Sequence, residues 1–170
     1  MLAADLSYRC PAFATLRVYR DGNVALMRKI SVDNHRATKK GHGQILSEIR
    51  QAMESVYGDI FVRERGFSRF ANEVQTLFRV VGVTELCAWE KYQQEFYELS
   101  PMTVKQLMTG NGKASKEEVA RCLEAYLGPQ EYATDDESDA CAVGLAFLIQ
   151  NGFIQPKDIA KEQTNEQQSD

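Results

Sequence analysis

Leu2-Ala3-Ala4-Asp5-Leu6-Ser7 is a short apolar run with one carboxylate inside it, and it predicts the first strand of a sheet. A buried strand normally excludes a charge, because an unpaired carboxylate in the core is strongly destabilising. Asp5 therefore either ends the strand in a turn, where aspartate is common, or binds a metal ion on a central strand. Asp5 by itself is compatible with both interpretations, and three carboxylates further along the chain favour the metal ligand.

The length and composition are typical of one globular domain. The chain has 170 residues, of which 44% are hydrophobic and 26% are charged, enough for a sizeable core. We expect one domain over residues 1–154 and a polar tail over 155–170 that has too few apolar residues to fold. No apolar run approaches the roughly 20 residues of a membrane span, and the N-terminus lacks a signal-peptide pattern. The cysteines are scattered without a C-x-x-C pair, which indicates reduced thiols in the cytoplasm: Cys10, Cys87, Cys122 and Cys141.

The net charge is −4, and it is distributed unevenly along the chain. Residues 1–60 hold nine Lys and Arg against six Asp and Glu, and residues 61–121 hold nine against eight. Residues 122–170 hold two against ten, so the acidic excess is entirely C-terminal. Four of those acids lie in Asp135-Asp136-Glu137-Ser138-Asp139, a cluster dense enough to need solvent or cations to relieve its repulsion.

The hydrophobic periodicity predicts a group of strands, followed by helices that alternate with strands. Asp21-Gly22 is a tight-turn signal between two alternating apolar runs, so the first three strands are expected to form an antiparallel meander. Strands are expected at about 2–7, 13–19, 24–30, 60–62 and 96–99, and helices at about 44–57, 70–83, 102–108, 116–126 and 135–149. This order predicts an α/β fold with a mixed five-stranded sheet and helices on both faces.

Glu64 follows an apolar strand directly, at the end of the strand where sites of α/β folds usually form. Alternatively, it is an exposed charge that pairs with Arg63 or Arg65, since surface ion pairs are common.

Asp136 and Asp139 are three residues apart, so a helix places them on one face in its first turn. The rest of that helix is nearly apolar all round, which predicts that it is buried. A buried helix that delivers carboxylates to a sheet edge implies a cation there. Oxygen ligands without a His or Cys cluster favour Mg²⁺ or Mn²⁺.

Four stretches carry a resemblance to a known family, and together they extend across nearly the whole chain except the tail. They are residues 2–7, Phe61-Val62-Arg63-Glu64-Arg65-Gly66-Phe67, Val104-Lys105-Gln106-Leu107-Met108-Thr109-Gly110-Asn111-Gly112-Lys113-Ala114-Ser115-Lys116, and Asp136-Glu137-Ser138-Asp139-Ala140-Cys141-Ala142-Val143. The third is the most specific, because V-K-Q followed by T-G-x-G-x-A-x-K is hard to obtain by chance beside the other three. The chain resembles RuvC-type Holliday-junction resolvases of the RNase H-like superfamily, and most of all their phage-encoded branch.

The resemblance implies a role for individual residues. Lys105 matches a basic residue close to the active site, Lys116 matches a second one that contacts DNA, and Phe67 matches an aromatic that stacks on a base at the junction. The family's four metal-binding carboxylates correspond to Asp5, Glu64, Asp136 and Asp139, with Asp135 as an extra acid that could replace Asp136. The DNA-binding side chains are then expected to be Arg63, Arg65, Phe67, Arg69, Lys105, Lys113 and Lys116, although some of these bases are equally compatible with an ordinary surface role.

The resemblance also implies an activity, with alternatives that differ in substrate or in class. It implies a structure-selective endonuclease that uses two Mg²⁺ ions, or Mn²⁺ in their place, to resolve four-way DNA junctions by paired nicks with 5′-phosphate and 3′-hydroxyl ends. It further implies a homodimer in the cytoplasm, with no organic cofactor and no membrane partner. A nuclease for three-way junctions, forks or RNA is one alternative. A non-catalytic junction-binding protein is another, but it would not need four converging carboxylates.

The helix at 70–83 is the predicted dimer surface. Val74, Leu77, Phe78 and Val81 are expected to face inward, and with Phe70 the helix has more apolar positions than one buried face needs. Arg65-Gly66 departs from the bacterial cellular relatives, which have uncharged residues there, and this leaves the sequence preference and junction selectivity open.

Overall fold

The computed structural model describes residues 1–35, 39–66 and 70–157. Five strands form one mixed sheet: β1 (Leu2–Asp5), β2 (Ala12–Val18), β3 (Val24–Ser31), β4 (Phe61–Glu64) and β5 (Phe96–Leu99), in the order β3-β2-β1-β4-β5. The first three strands are antiparallel neighbours, whereas β1 with β4 and β4 with β5 are parallel pairs. The predicted meander and mixed five-stranded sheet are therefore confirmed.

Helices cover both faces of the sheet, as predicted. One face packs against α1 (His42–Glu54) and α2 (Ala71–Tyr92), and the other packs against α3 (Pro101–Thr109), α4 (Lys116–Leu127) and α5 (Asp135–Gln150). Successive side chains of a strand point to opposite faces. In β1 this places Leu2 and Ala4 in the core beneath α1 and α2, and Ala3 in the core beneath α5.

The apolar helix α5 lies directly on the centre of the sheet. Its residues from Ala140 to Leu148 are all buried, as its composition predicted. Gly144 permits this close approach, because a Cβ atom there would lie 2.6 Å from Leu16 Cδ1 and 3.0 Å from Ala3 Cβ. The small residue therefore fixes how α5 lies across β1 and β2, and with it the position of the helix's acidic N-terminus.

Helix α2 is longer than predicted, and one residue that was expected to face the core is exposed to solvent. It continues from the expected end near Val83 to Tyr92, because Gly and Pro are absent from residues 83–92. It ends where Gln93 adopts a left-handed conformation with a φ angle of 54°. Phe78 was expected to face inward, but this was wrong, since its side chain is 66% exposed.

The C-terminal part of the described chain returns to α4. The Tyr126 hydroxyl donates to the Gln155 carbonyl across 3.0 Å and accepts from the Lys157 amide across 2.7 Å. Most of the predicted tail, residues 158–170, lies outside the described residues, so its disorder stays a prediction. In the described ranges, no helix combines the length and apolar character needed to cross a membrane.

Candidate active site

Asp5 and Glu64 end two neighbouring parallel strands. β1 and β4 pair in a register that places Ala3 opposite Val62 and Ala4 opposite Arg63. Ala3 and Val62 both belong to the core beneath α5. Since side chains two residues apart in a strand point the same way, Asp5 and Glu64 also face the side of the sheet that α5 covers.

The first turn of α5 brings Asp136 and Asp139 towards the same place. The Thr134 hydroxyl caps this helix by accepting from the Glu137 amide across 3.3 Å. Burial, reinforced by the charges of Glu64, Asp139 and Asp136, raises the pKa of Asp5 to about 8. The four predicted carboxylates are therefore near enough to interact electrostatically across two strands and one helix.

The pKa values of Glu64 and Asp139 are shifted in the same direction as that of Asp5. Burial and the charge of Asp139 raise the pKa of Glu64 to about 7, although Lys105 and Lys116 oppose the rise. Burial also raises the pKa of Asp139, against the opposing effect of Lys116. Near neutral pH the cluster therefore retains protons rather than accumulate its full negative charge.

Carboxylates that hold protons because they are buried close to one another are well suited to a divalent cation. Their oxygen atoms are the ligands that Mg²⁺ and Mn²⁺ prefer. Over residues 1–35, 39–66 and 70–157, no group of three or more His, Cys, Asp or Glu side chains already surrounds a single ion position. The donor chemistry of the four carboxylates fits Mg²⁺ or Mn²⁺, and these side chains would hold the ions.

Lysines from α3 and α4 border the carboxylates. Lys116 Nζ lies 3.4 Å from Asp139 Oδ2 and 3.8 Å from Asp135 Oδ2, and the charge of Asp139 raises the pKa of Lys116. Lys105 is near enough to Glu64 for its charge to oppose the rise in the pKa of Glu64. The positive charges predicted from the third matching stretch are thus located beside the carboxylates.

The connection between α3 and α4 holds these lysines in place. The Gln106 side chain accepts from the Gly112 amide across 3.0 Å and donates to the Gly110 carbonyl across 2.7 Å. Gly110 has a φ angle of 77°, which favours glycine. The Ser115–Glu118 capping box then starts α4, and the exposed Lys113 lies within the connection. The V-K-Q…T-G-x-G-x-A-x-K pattern therefore forms a stiff helical hairpin that presents its lysines.

Two arginines predicted to bind DNA form ion pairs within the protein, one buried and one exposed. Arg63 is buried, and its Nη2 lies 2.7 Å from Glu85 Oε1 and 2.6 Å from Glu98 Oε1. Because two carboxylates neutralise its guanidinium beneath α2, the DNA-binding role expected for Arg63 does not fit its environment. Arg65 is exposed and lies 3.1 Å from Glu98 Oε2. Phe67 and Arg69 lie outside the described residues, and their predicted roles stay predictions.

Glu137 is a site residue whose role sequence reasoning missed. It lies between Asp136 and Asp139 but points into the protein, where it is buried. Its carboxylate accepts from Lys29 Nζ, Ser31 Oγ and the Ala133 amide, each across 3.0 Å. The only signal in the sequence was an acid on a helix too apolar to be exposed, and nothing there indicated its partners on β3.

A cleft of about 890 Å³ opens beside the carboxylates, between the ends of the strands and the first turns of α1 and α2. Asp5, Glu64 and Asp136 line it together with the β1–β2 connection, the residues after β3 and the start of α2: Leu6, Ser7, Tyr8, Arg9, Cys10, Asn34, His35, Ile45, Gly66, Asn72, Glu73, Thr76 and Leu77. The carboxylates are therefore accessible to a large ligand from this side.

Comparisons with known proteins agree with this architecture. The sequence model of the crossover junction endodeoxyribonuclease RuvC family matches residues 20–147. A RuvC of Porphyromonas gingivalis is 32% identical over 133 residues, which cover 76% of this chain and 67% of that protein. A RuvC of Cytophaga hutchinsonii is 33% identical over 115 residues, which cover 65% of this chain and 56% of that protein. In several such matches the chain spans about half or less of the curated relative.

Solved structures show the same fold. Thermus thermophilus RuvC superposes with a TM-score of 0.77 at 23% identity, covering 92% of this chain and all of that one. The same protein in complex with a Holliday junction substrate gives a TM-score of 0.75 at 22% identity, covering 92% of this chain and 98% of that one. These likenesses confirm the RNase H-like fold. Because the family's sequence model extends over most of its length, the chain belongs to the crossover junction endodeoxyribonuclease RuvC family.

Proposed function

We propose that this protein is a metal-dependent endonuclease that resolves four-way DNA junctions. The observation that carries the proposal is the convergence of Asp5, Glu64, Asp136 and Asp139 beside an open cleft in a RuvC-family chain, where the pKa values of Asp5, Glu64 and Asp139 are raised. The T. thermophilus relative has been solved in complex with a Holliday junction substrate, which supports branched DNA as the substrate here.

The four carboxylates are the residues that would hold the metal ions. Two Mg²⁺ ions, or Mn²⁺ in their place, supply activation of water and charge stabilisation of the leaving 3′ oxygen when they are bound. Asp5 and Glu64 contribute from rigid strand ends, and Asp136 and Asp139 contribute from the capped first turn of α5, so their positions are fixed before DNA binds. Breaking the bond between phosphorus and the 3′ oxygen leaves 5′-phosphate and 3′-hydroxyl ends.

The lysines of the helical hairpin would contact the DNA backbone. Lys105 lies near Glu64, Lys116 lies beside Asp139, and Lys113 is exposed between α3 and α4. Lys116 is mostly exposed even while it contacts the acids, so its ammonium group can reach a phosphate at the mouth of the cleft. Together they offset the negative charge that a scissile phosphate brings to four carboxylates. Arg65, Phe67 and Arg69 remain the other proposed DNA contacts.

The protein would act as a homodimer, because paired nicks in strands of like polarity need two active sites. A four-way junction has approximate two-fold symmetry, and isologous dimers are the commonest oligomers. The exposed face of α2 carries an apolar stripe, defined here as Phe78, Gly82, Leu86 and Trp89. These positions are four, four and three residues apart, so they share one helix face. A Cβ atom at Gly82 would meet nothing within 4 Å, so a partner helix can approach closely.

Two further parts of the proposal concern where the protein acts. Assignment to the phage-encoded branch rests on Arg65-Gly66 after the strand-end glutamate, and action in the cytoplasm rests on the scattered, unpaired cysteines. Both stay predictions.

The test is cleavage of four-way, three-way and linear DNA side by side in Mg²⁺, with Asp139→Asn as the inactive control. We expect symmetric nicks in the four-way junction and little cutting of linear duplex. Equal cutting of three-way junctions would favour a general nuclease for branched substrates. Tight junction binding without any cleavage in Mg²⁺ or Mn²⁺ would favour a non-catalytic binding protein.

A further inference from the structure

The Asn34 side chain is buried in the wall of the cleft, where no other described residue forms a hydrogen bond with it. Asn34 follows β3, and its backbone amide donates to the Arg9 carbonyl across 2.7 Å. The residue is only 7% exposed, yet among residues 1–35, 39–66 and 70–157 neither its Oδ1 nor its Nδ2 has a hydrogen-bond partner. Buried polar groups are nearly always hydrogen-bonded, because desolvating them without compensation is unfavourable. The unpaired Oδ1 and Nδ2 atoms of Asn34, next to the cleft, therefore suggest that a ligand binds them.

Two hydrogen bonds shape the surrounding wall. The Ser7 hydroxyl accepts from the Cys10 amide across 2.9 Å, and the Tyr8 hydroxyl lies 2.5 Å from His42 Nδ1. Arg9 is exposed at the edge of this wall. Within the three described ranges, no carboxylate forms an ion pair with its guanidinium. The β1–β2 connection and the segment after β3 thus present one cation and one amide on the wall that adjoins Asp5, away from the lysines of α3 and α4.

We propose that Asn34 and Arg9 bind one nucleotide of the DNA strand next to the scissile phosphate, with Arg9 on a phosphate and the Asn34 amide on the edge of the base. The proposal rests on the nuclease function above and adds a sequence-reading contact to it. Phosphate and deoxyribose within a strand offer only hydrogen-bond acceptors, so they would leave Asn34 Oδ1 unpaired. A base edge offers a donor and an acceptor side by side, as adenine does with N6 and N7. Reaching the amide requires the cleft wall to move slightly outward.

The proposal predicts opposite effects on stability and on DNA recognition. Asn34→Leu replaces the unpaired amide with an apolar group of similar size, so the thermal midpoint should rise. The same change should weaken binding to the preferred junction about tenfold and flatten the preference among bases near the cut. Asn34→Ala, which introduces no bulk, should give the same loss of base preference.

The measurement is the affinity of Asp139→Asn protein, with and without each Asn34 variant, for junctions that carry each base in turn next to the cut. Thr84→Val is the matched control, because Thr84 is buried but its hydroxyl already donates to the Val80 and Val81 carbonyls. We expect this control to leave base preference unchanged.

Arg9 is tested separately through the salt dependence of binding. Arg9→Gln should reduce the slope of log affinity against log salt by about one, as expected for one lost phosphate contact. Arg28→Gln is the control, since Arg28 is also exposed but lies at the opposite end of the strands, where it lines a separate cleft.

Several outcomes would overturn the proposal. If Asn34→Leu raises the thermal midpoint while affinity and base preference stay the same, the amide only holds trapped water. If Asn34-dependent binding is stronger on an RNA strand whatever the base, a 2′-hydroxyl is the partner instead. If Arg9→Gln and Arg28→Gln give equal slopes of log affinity against log salt, Arg9 does not contact a phosphate. Failure of the nuclease function is a separate result, because the unmodified protein would then fail to cut four-way junctions.

Discussion

Lys29 on β3 donates a hydrogen bond across 3.0 Å to Glu137 in the first turn of α5. Glu137 directly follows Asp136 and lies two residues before Asp139, so this contact joins the sheet to the helix end that carries both. Burial alone would raise the pKa of Glu137, but hydrogen bonds from the Ala133 amide, Lys29 and Ser31 lower it. The charged carboxylate is therefore a structural anchor for the site.

Removing this anchor should destabilise the fold and misplace the site. Glu137→Ala leaves Lys29 without its carboxylate in a mostly buried setting, and we expect a loss of about 3 kcal/mol in the free energy of unfolding. Glu137→Gln keeps one hydrogen-bond acceptor, so its free energy of unfolding should fall less. Urea unfolding measures both, with Asp135→Asn as an exposed neighbouring control. Cleavage by the folded fraction should fall with Glu137→Ala, and full activity in that fraction would show that Glu137 does not position α5.

Neutral isosteres of the carboxylates should separate cleavage from binding. Asp5→Asn, Glu64→Gln and Asp139→Asn each remove one negative charge with little change in volume, so each should abolish cleavage in Mg²⁺ while junction binding survives. Gel-based cleavage and fluorescence anisotropy measure the two properties on the same junction. Asp59→Asn, at the far end of the sheet, is the control for a lost carboxylate. Full activity in any of the three variants would remove that residue from the site.

The raised pKa values predict how stability depends on pH in the absence of divalent cations. The pKa of Asp5 is about 8 and that of Glu64 about 7, both above their values in an unfolded chain. The folded protein therefore binds these protons more tightly, so the stability they contribute is complete at low pH and is lost as pH rises through 7 and 8.

Urea unfolding in the presence of a chelator should thus show that the free energy of unfolding falls as the pH rises from 6 to 9. Asp5→Asn should flatten the fall, and Mg²⁺ should stabilise the unmodified protein more at pH 9 than at pH 6, because a bound cation favours the ionised carboxylates. A free energy that rises from pH 6 to 9 in the chelator would contradict the assigned burial and repulsion.

The parts of the molecule that the sequence predicted well depend on short-range patterns. The apolar run in Leu2–Ser7 and the one before Glu64 predicted two strands that each carry a carboxylate, and the resemblance then connected them to Asp136 and Asp139. Short-range patterns do not reveal ion pairs between residues that are far apart in the sequence. Nothing near Arg63 in the sequence indicates that its guanidinium meets Glu85 on α2, 22 residues away, rather than a phosphate.

The environment of Arg63 gives a prediction that differs from the one made from sequence. Arg63→Met removes a buried cation from between Glu85 and Glu98, so it should lower the free energy of unfolding by about 2 kcal/mol or more. The slope of log affinity against log salt for junction DNA should not change. Lys113→Gln is the contrasting variant, because this exposed lysine should lower that slope by about one with little effect on stability. A lower slope for Arg63→Met would restore its DNA-binding role.

The last prediction concerns assembly through the apolar stripe of α2. Leu86 and Trp89 are 50% and 54% exposed, and Phe78 is exposed further still. Burying such a side chain fully contributes about 2 kcal/mol, so a two-fold interface built on this stripe would hide three large apolar groups from each chain. We therefore expect a homodimer at micromolar concentration or on junction DNA.

Sedimentation of the free protein and of its junction complex measures this directly. Leu86→Glu and Trp89→Glu should each shift the protein towards monomer, because a carboxylate would be buried opposite its own copy across the two-fold axis. These monomeric variants should still nick a junction, but the two nicks should become uncoupled, since one active site makes one cut per encounter. Met27→Glu places the same charge on an exposed residue of β3 and should leave the dimer intact. A stable complex of one chain with one junction, giving single nicks up to saturation, would rule out the dimer and favour a nickase of branched DNA.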